Sequence, residues 1–325
     1  MMMYPDSAYL PEDNLPAARR AHQLVRAPGS RVWAWLLLIG VMSAGLWFTY
    51  RFFVTTSLGQ ILDQATLTSA ELRLHSWHEA SVALLAELPI VISAIAALGF
   101  LVLTLWRRRW AASLIVALTF AAANMTTQML KTALHRPDFA NGVPYYTGNS
   151  LPSGHATVAT AAFVAVFLLV APRWRSTVAL IGAIFSATVG VATFLDGWHR
   201  PADMVAAYLV VGIWTLIGGF VIFRVSKQWN VISPRSRAQY VGIAEIILWF
   251  IAVIGLGGAV AVFLVSGGPA GLPVTLDGFA PSPRWFLFGA LLIGGSASLV
   301  FGLLASFFRW EAGRESTQID AAYLR

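Results

Sequence analysis

The sequence contains no cysteine, and only 11% of its 325 residues are charged. The absence of cysteine excludes disulfides and thiolate chemistry. In a soluble globular domain about a quarter of the residues are charged. This chain therefore has too few charged residues to cover a surface that faces water. Because 58% of its residues are hydrophobic, the composition indicates an integral membrane protein whose solvent is lipid.

Long apolar runs recur along the chain, and a helix that spans a bilayer needs roughly 20 mostly apolar residues. The stretches of about that length are 32–54, 81–105, 110–131, 154–172, 176–195, 203–224, 241–266 and 284–308. The second stretch is the weakest, because Glu87 and Pro89 lie inside it. The sequence therefore predicts an all-α fold, a polytopic membrane bundle of about eight transmembrane helices.

The predicted bundle divides into a core and flanking segments. Residues 31–225 are expected to form a six-helix core, and 226–310 add two helices that could be a lipid-facing wall, a dimer surface or a separate module. Residues 55–80 carry apolar side chains at helical spacing, which is typical of an amphipathic helix on the outer membrane surface. The polar stretch 1–30 predicts a flexible cytoplasmic tail, and 311–325 is expected to be a second cytoplasmic tail.

The basic residues orient the predicted bundle. They account for a net charge of +7 and mostly cluster beside the apolar runs, which is the positive-inside pattern of membrane proteins, so no nucleic-acid partner is expected. With both termini cytoplasmic, the clusters after spans two, four, six and eight share one side. They include residues 107–109, Arg173, Arg175, Arg224, Lys227, Arg309 and Arg314. The loops 132–153 and 196–202 then lie outside.

Three polar groups lie at the predicted outer ends of the helices. The first is Lys131 with Arg136, the second is residues 152–155 (Pro-Ser-Gly-His), and the third contains His199 and Asp203. Ionisable side chains at a membrane edge are functional candidates. Because three separate hairpins bring these groups to one depth, we expect them to form a single site.

The first two groups have the chemistry of a phosphate site. Lys131 and Arg136 supply fixed positive charge, and an arginine binds phosphate oxygens bidentately. Ser153 and Gly154 open a helix, where backbone N–H groups and the helix dipole attract an anion. His155 follows directly, in a position to donate a proton to a leaving oxygen.

The third group has the spacing of an oriented nucleophile. Asp203 lies about one helical turn after His199, so its carboxylate can hydrogen-bond one ring nitrogen and hold the imidazole. His199 and Asp203, together with His155, Asp138 and Asp196, are an alternative metal cluster. The neighbouring cations argue against it because they already supply the positive charge of a metal.

Each of these residues also has a structural interpretation when taken alone. Lys131 and Arg136 could be interface anchors, and Ser153 could be an ordinary helix cap. His199 and Asp203 could form a structural hydrogen bond. Only the combination favours catalysis.

At these residues the sequence resembles the type 2 phosphatidic acid phosphatase superfamily, also called lipid phosphate phosphatases. The motifs of that family are a Lys followed by Arg-Pro, then Pro-Ser-Gly-His, then Ser-Arg followed by His and Asp. Lys131 with Arg136, residues 152–155, and His199 with Asp203 match them in order. The resemblance covers spans three to six.

The resemblance implies a metal-independent phosphatase without a cofactor, of the membrane-integral bacterial type. With the orientation that the basic residues give, we expect the site on the external face of a bacterial cytoplasmic membrane. His199 would attack phosphorus and form a phosphohistidine, with Asp203 orienting it, while His155 would protonate the leaving oxygen. The phosphate ligands that the resemblance implies are Lys131, Arg136, Ser153 and Gly154.

Two departures from the family pattern concern the cations. The gap between Lys and Arg in the first motif is shorter than usual, and the usual spacing would end at Asp138. The expected Ser-Arg pair before the nucleophile is Ala192 and Thr193, so one cationic phosphate ligand is missing. Arg200 and Arg136 are the candidate substitutes.

An outward site at the membrane edge favours a lipid phosphate as substrate. Polyprenyl phosphate or diphosphate is preferred, and phosphatidate and phosphatidylglycerol phosphate are alternatives. A non-catalytic protein that binds lipid phosphates and a lipid phosphotransferase remain open, whereas a transporter would need more polar residues within its spans. Membrane lipids are the expected partners, and a homo-oligomer stays open.

Overall fold

The apolar runs form helices that begin at residues suited to a helix start. This computed structural model describes residues 20–71, 94, 97–102, 104–106, 108–140, 143, 149–226, 230–232, 240–272, 274–275 and 278–319. Pro172, Pro201 and Pro283 each occupy the first turn of a helix. A proline costs no hydrogen bond there, because the N–H groups of the first turn have no partner within the helix.

The described helices follow the predicted order along the chain. They are α1 (Val32–Thr49), α2 (Ser57–Glu71), α3 (Trp110–Ala133), α4 (Gly154–Leu169), α5 (Pro172–Leu195), α6 (Pro201–Val225), α7 (Ile243–Val265) and α8 (Pro283–Glu311). A π-helical segment, Tyr50–Val54, extends α1. The short strands are β1 (Arg20–Arg26), β2 (Val231–Ile232), β3 (Val274–Thr275), β4 (Gly278–Phe279) and β5 (Gly313–Ile319).

Most of the predicted spans appear as long apolar helices. Six helices are long and apolar enough to cross a membrane, namely α1 with its extension, α3, α5, α6, α7 and α8. Helix α4 has 16 residues and ends before the predicted 154–172 does, because Ala171 precedes a proline and is extended. Most of the predicted span 81–105 lies outside the described residues, although 97–102 and 104–106 are helical. The predicted polytopic helical membrane bundle is confirmed.

Helices α6 and α8 form the centre of the bundle. Both are buried around much of their circumference, as expected of helices that other helices enclose. Helix α6 packs against α1, α3, α4 and α8, while α8 packs against α5, α6 and α7. Helix α8 is therefore part of the same core as the preceding helices.

Helix α7 is held mainly through α8. The backbones meet where Gly255 faces Gly295, since a Cβ on Gly255 would lie 2.7 Å from the Cα of Gly295. Small residues allow this close approach between membrane helices. At one end of the pair, Arg309 donates to both carboxylate oxygens of the buried Glu245, at 3.0 and 3.1 Å.

Helix α2 is packed into the bundle and does not lie on its surface. Its helical periodicity is as predicted, but both its apolar and its polar side chains are buried, including Leu62, Ala65, Asp63 and Gln64. It contacts α8, α5 and α6. The polar face of α2 is buried because other parts of the chain satisfy it; for example, the backbone N–H of Ser282 donates to Ser69 Oγ at 3.0 Å.

The chain ends are described only in part. Strands β1, β5 and β2 form one sheet, with β1 antiparallel and β2 parallel to β5. Strands β3 and β4 form an antiparallel pair. The outer parts of the predicted tails, 1–19 and 320–325, lie outside the described residues.

Candidate active site

The N-terminus of α4 is docked on the first turn of α6. The backbone N–H of Ser153 donates to the carbonyl oxygen of Asp203 at 2.9 Å. The fully buried Ser153 hydroxyl accepts from the backbone N–H of Ala156 at 3.3 Å and caps α4. The second and third sequence groups therefore share one hydrogen-bonded junction.

A tight turn after α5 presents His199. Gly197 has a φ of +71°, a left-handed conformation that glycine adopts without strain. The turn brings the backbone N–H groups of Trp198 and His199 to the carbonyl oxygen of Thr193, at 3.1 and 3.3 Å. His199 thus lies immediately before α6.

His199 and Asp203 are hydrogen-bonded. The Nδ1 atom of His199 lies 3.0 Å from Oδ2 of Asp203, and the residue Asp203 is 2% exposed. The same oxygen accepts from the backbone N–H of Arg200 at 3.1 Å. The carboxylate of Asp203 therefore both caps α6 and fixes the imidazole ring, with Nε2 on the opposite side of the ring from this bond.

His155 lies beside His199. The ring centroids are 6.2 Å apart with an angle of 67° between the planes, and the ring of Trp198 is 5.4 Å from that of His155. The side chain of His155 is exposed. One small group can therefore be approached by both imidazoles.

Lys131 lies at the same helix start. A Cβ on Gly154 would be 3.8 Å from Nζ of Lys131 and 3.7 Å from Nε2 of Gln128. The missing side chain of Gly154 leaves the N-terminus of α4 open towards this ammonium group.

Arg136 is buried although it follows the end of α3. Its Nη2 has no hydrogen-bond partner among the described residues. Burial and the positive charge of Arg200 lower the pKa of the Arg136 guanidinium. The alternative position, Asp138, is exposed and accepts from the backbone N–H of Ala140 at 2.9 Å. The arginine of the first group is therefore the side chain that enters the site.

The guanidinium of Arg200 is also buried in the site. Its Nη2 and Nε donate to Oε1 of Gln64 at 2.9 and 3.3 Å, and its Nη1 donates to Oγ of Ser150 at 3.4 Å. Thr193 is buried, and its hydroxyl donates to the carbonyl oxygen of Gly190 at 3.0 Å within its own helix. Arg200 is therefore the second buried guanidinium of the site, beside Arg136, whereas Thr193 carries no charge.

Asp63 of α2 is a site residue that the sequence analysis missed. Its Oδ1 accepts from the backbone N–H of Ala202 at 3.2 Å. Burial and the negative charge of Asp203 raise the pKa of Asp63 to about 7, against the opposing effect of Arg200 and Arg136. The signal in the sequence is a carboxylate on the polar side of the predicted amphipathic segment 55–80, next to the predicted outer helix ends.

All eight predicted site residues lie in this region of the bundle. They are Lys131, Arg136, Ser153, Gly154, His155, His199, Arg200 and Asp203. Within the part of the chain that the structure describes, no three His, Asp or Glu side chains are grouped in a way that could hold a metal ion.

Residues 112–229 match the family model described as the PAP2 superfamily. The match runs from α3 to the residues after α6 and includes all three polar groups. Neither the curated proteins nor the solved structures contain a match to this chain.

Proposed function

Because residues 112–229 belong to the PAP2 superfamily, whose members are phosphatases, we propose that this chain hydrolyses a lipid phosphate or diphosphate through a phosphohistidine. The observation that carries the proposal is the pair His199 and Asp203, joined through Ser153 to the N-terminus of α4. That junction places an oriented imidazole beside a helix start that attracts anions.

His199 is the proposed nucleophile. Because Nδ1 faces Asp203 at 3.0 Å, Nε2 carries the lone pair that attacks phosphorus. The N–P bond forms as the bond from phosphorus to the leaving oxygen breaks, and Asp203 stabilises the positive charge that develops on the ring.

His155 is the proposed general acid and base. It donates a proton to the leaving oxygen in the first step. In the second step it takes a proton from water as the water oxygen attacks phosphorus and the N–P bond breaks, which releases phosphate. Its exposed ring, 6.2 Å from that of His199, suits both the leaving group and the incoming water.

The cations of the site bind the phosphoryl oxygens in this proposal. Lys131 lies at the open start of α4, and Arg136 has a buried guanidinium nitrogen without a partner among the described residues. Arg200 adds the charge that the family pattern expects at position 193. Ser153 and Gly154 open α4, and the backbone N–H groups at the start of that helix attract an anion. Fixed cations stabilise the charge of the transition state most strongly where water is excluded.

A lipid substrate follows from the position of the site at one end of a membrane bundle. The phosphate would enter at the helix ends while the lipid tail stays in the bilayer. We favour polyprenyl phosphate or diphosphate, with the site on the external face of a bacterial cytoplasmic membrane. Phosphatidate and phosphatidylglycerol phosphate present the same phosphate chemistry.

Phosphate release from the purified, detergent-solubilised protein tests this function. The panel is undecaprenyl diphosphate, phosphatidate and phosphatidylglycerol phosphate, each with EDTA present. We expect release that persists in EDTA, is lost in His155→Ala and His199→Ala, and is normal in His135→Ala, which changes an exposed histidine of the neighbouring loop.

The outcomes separate the rival functions. If the protein releases phosphate from none of these lipids but still binds inorganic phosphate, it is a lipid-phosphate-binding protein and not a phosphatase. Release that requires an added head-group alcohol would identify a phosphotransferase.

A further inference from the structure

Two adjacent residues of α2 hold the first turn of α6. Gln64 binds the guanidinium of Arg200, and Asp63 binds the backbone N–H of Ala202. Both side chains are buried. They come from a helix outside the matched residues 112–229, so the site extends beyond the part of the chain that carries the motifs.

We propose that Gln64 and Asp63 are positioning residues that make Arg200 the phosphate-binding cation which this chain lacks at position 193. The inference rests on the proposed function, because it assigns the phosphate a ligand in that same site. It adds α2 as a required part of the site.

Gln64 fixes the direction of the Arg200 guanidinium. One oxygen, Oε1, accepts from both Nη2 and Nε, and Nε2 of the same amide donates to Oγ1 of Thr68 at 3.4 Å. Ser150 accepts from the remaining nitrogen, Nη1. A group held on several sides loses little freedom when an anion binds, so its charge is preorganised.

The neutral amide of Gln64 preserves the charge of Arg200. A carboxylate at this position would pair with the guanidinium and cancel the charge that attracts phosphate. Burying a polar amide costs free energy unless it is hydrogen-bonded, and an apolar side chain would pack against α6 without this requirement. The choice of a buried Gln is therefore explained by Arg200 rather than by packing.

Asp63 aligns the turn that carries the nucleophile. Its bond to Ala202 N–H lies three residues after His199, and Asp203 Oδ2 occupies the N–H of Arg200. The two carboxylates thus satisfy adjacent donors at the start of α6. Asp63 also interacts electrostatically with Arg200 and Arg136.

The binding of inorganic phosphate tests the positioning role without requiring turnover. The affinity is measured from the phosphate-dependent rise in melting temperature of the purified full-length protein. We expect Gln64→Leu and Gln64→Glu to weaken phosphate binding by roughly ten- to hundredfold, the first by freeing the guanidinium and the second by neutralising it. In an active preparation, kcat/KM with a lipid phosphate should fall in parallel.

The matched control is Ser69→Ala on the same helix. It removes the hydrogen bond that the backbone N–H of Ser282 donates to Ser69 Oγ but touches none of the site residues, so we expect phosphate affinity to be normal. Loss of affinity in this variant equal to that of Gln64→Leu would show that α2 acts only through general stability, and would overturn the proposal.

A double-mutant cycle shows whether Gln64 acts through Arg200. If it does, adding Gln64→Leu to Arg200→Gln should weaken phosphate binding no further than Arg200→Gln alone. Additive losses, or normal affinity in both Gln64 variants, would refute the inference. Phosphate affinity that follows these expectations in a protein without any turnover would instead refute only the proposed hydrolase.

Discussion

One side chain at the start of α6, the carboxylate of Asp203, has two roles in the site. Asp203 accepts from His199 and from the backbone of Arg200 through one oxygen. Its carboxylate therefore combines a structural task, capping the helix, with a chemical task, orienting and stabilising an imidazole. A substitution that keeps the shape but removes the charge separates these tasks.

Asp203→Asn should reduce kcat by roughly 10²–10⁴-fold, because an amide stabilises the imidazolium poorly and favours the wrong tautomer. The measurement is kcat with the best lipid phosphate, alongside the melting temperature. Asp138→Asn is the control, since that carboxylate is exposed and accepts only a local N–H in the described structure. A normal kcat in Asp203→Asn would remove the orienting role.

Asp63 should make stability depend on pH. Burial and the charge of Asp203 raise the pKa of Asp63 to about 7 from 3.8, so the folded state binds the proton more tightly than the unfolded state. Its contribution therefore becomes destabilising as pH rises through this interval, by at most about 1.4 kcal/mol per pH unit. Below the unfolded-state pKa of 3.8 the contribution of Asp63 to stability does not change with pH. Above the folded-state pKa of about 7 the destabilisation is complete.

Asp63→Asn removes this titration, and Asn can still accept from Ala202 N–H. We expect the melting temperature of the variant to fall less between pH 5 and pH 8 than that of the natural protein. Identical pH profiles for the two proteins would show that Asp63 does not titrate in this interval.

Whole helices determine which residues can reach the site. The order of the described helices and the three polar groups could be predicted, because apolar length, proline positions and motif spacing are local properties of the chain. The place of α2 could not: Asp63 and Gln64 look like the water-facing side of an amphipathic helix, and only the tertiary contact with Arg200 and Ala202 shows that they are buried. The sequence of α8 likewise predicts only one more membrane span, whereas the structure places this helix in the core of the bundle.

The contact between α7 and α8 depends on the absence of side chains. Gly255→Val should lower the melting temperature, because its Cβ would press on the backbone of Gly295. We expect the free energy of unfolding to fall by an amount on the order of 1–3 kcal/mol. Gly257→Val on the same helix is the control, since its Cβ would meet no atom of the described residues within 4 Å. Equal stability of the two variants would contradict this packing. The catalytic constants of Gly255→Val measured well below its melting temperature should be normal.

The bundle taken together is a membrane protein with its polar site at one end. Its direction in the membrane is a prediction from the distribution of basic residues. The chain has no cysteine, so single cysteines can report the direction without background. We expect a membrane-impermeant thiol reagent to label Asp138→Cys in intact cells and to label Tyr240→Cys only after lysis, as both residues are exposed and lie on predicted opposite sides. The reverse pattern would place the site inside the cell.

The most direct test of the account is to trap the phosphorylated enzyme. The purified protein is mixed with a lipid phosphate that carries a radioactive phosphate, quenched in alkaline detergent, and digested for mass spectrometry. The account predicts a base-stable phosphoryl group on His199 that is absent in His199→Ala and present in His135→Ala. Turnover without label on any histidine, or label that persists in His199→Ala, would contradict it.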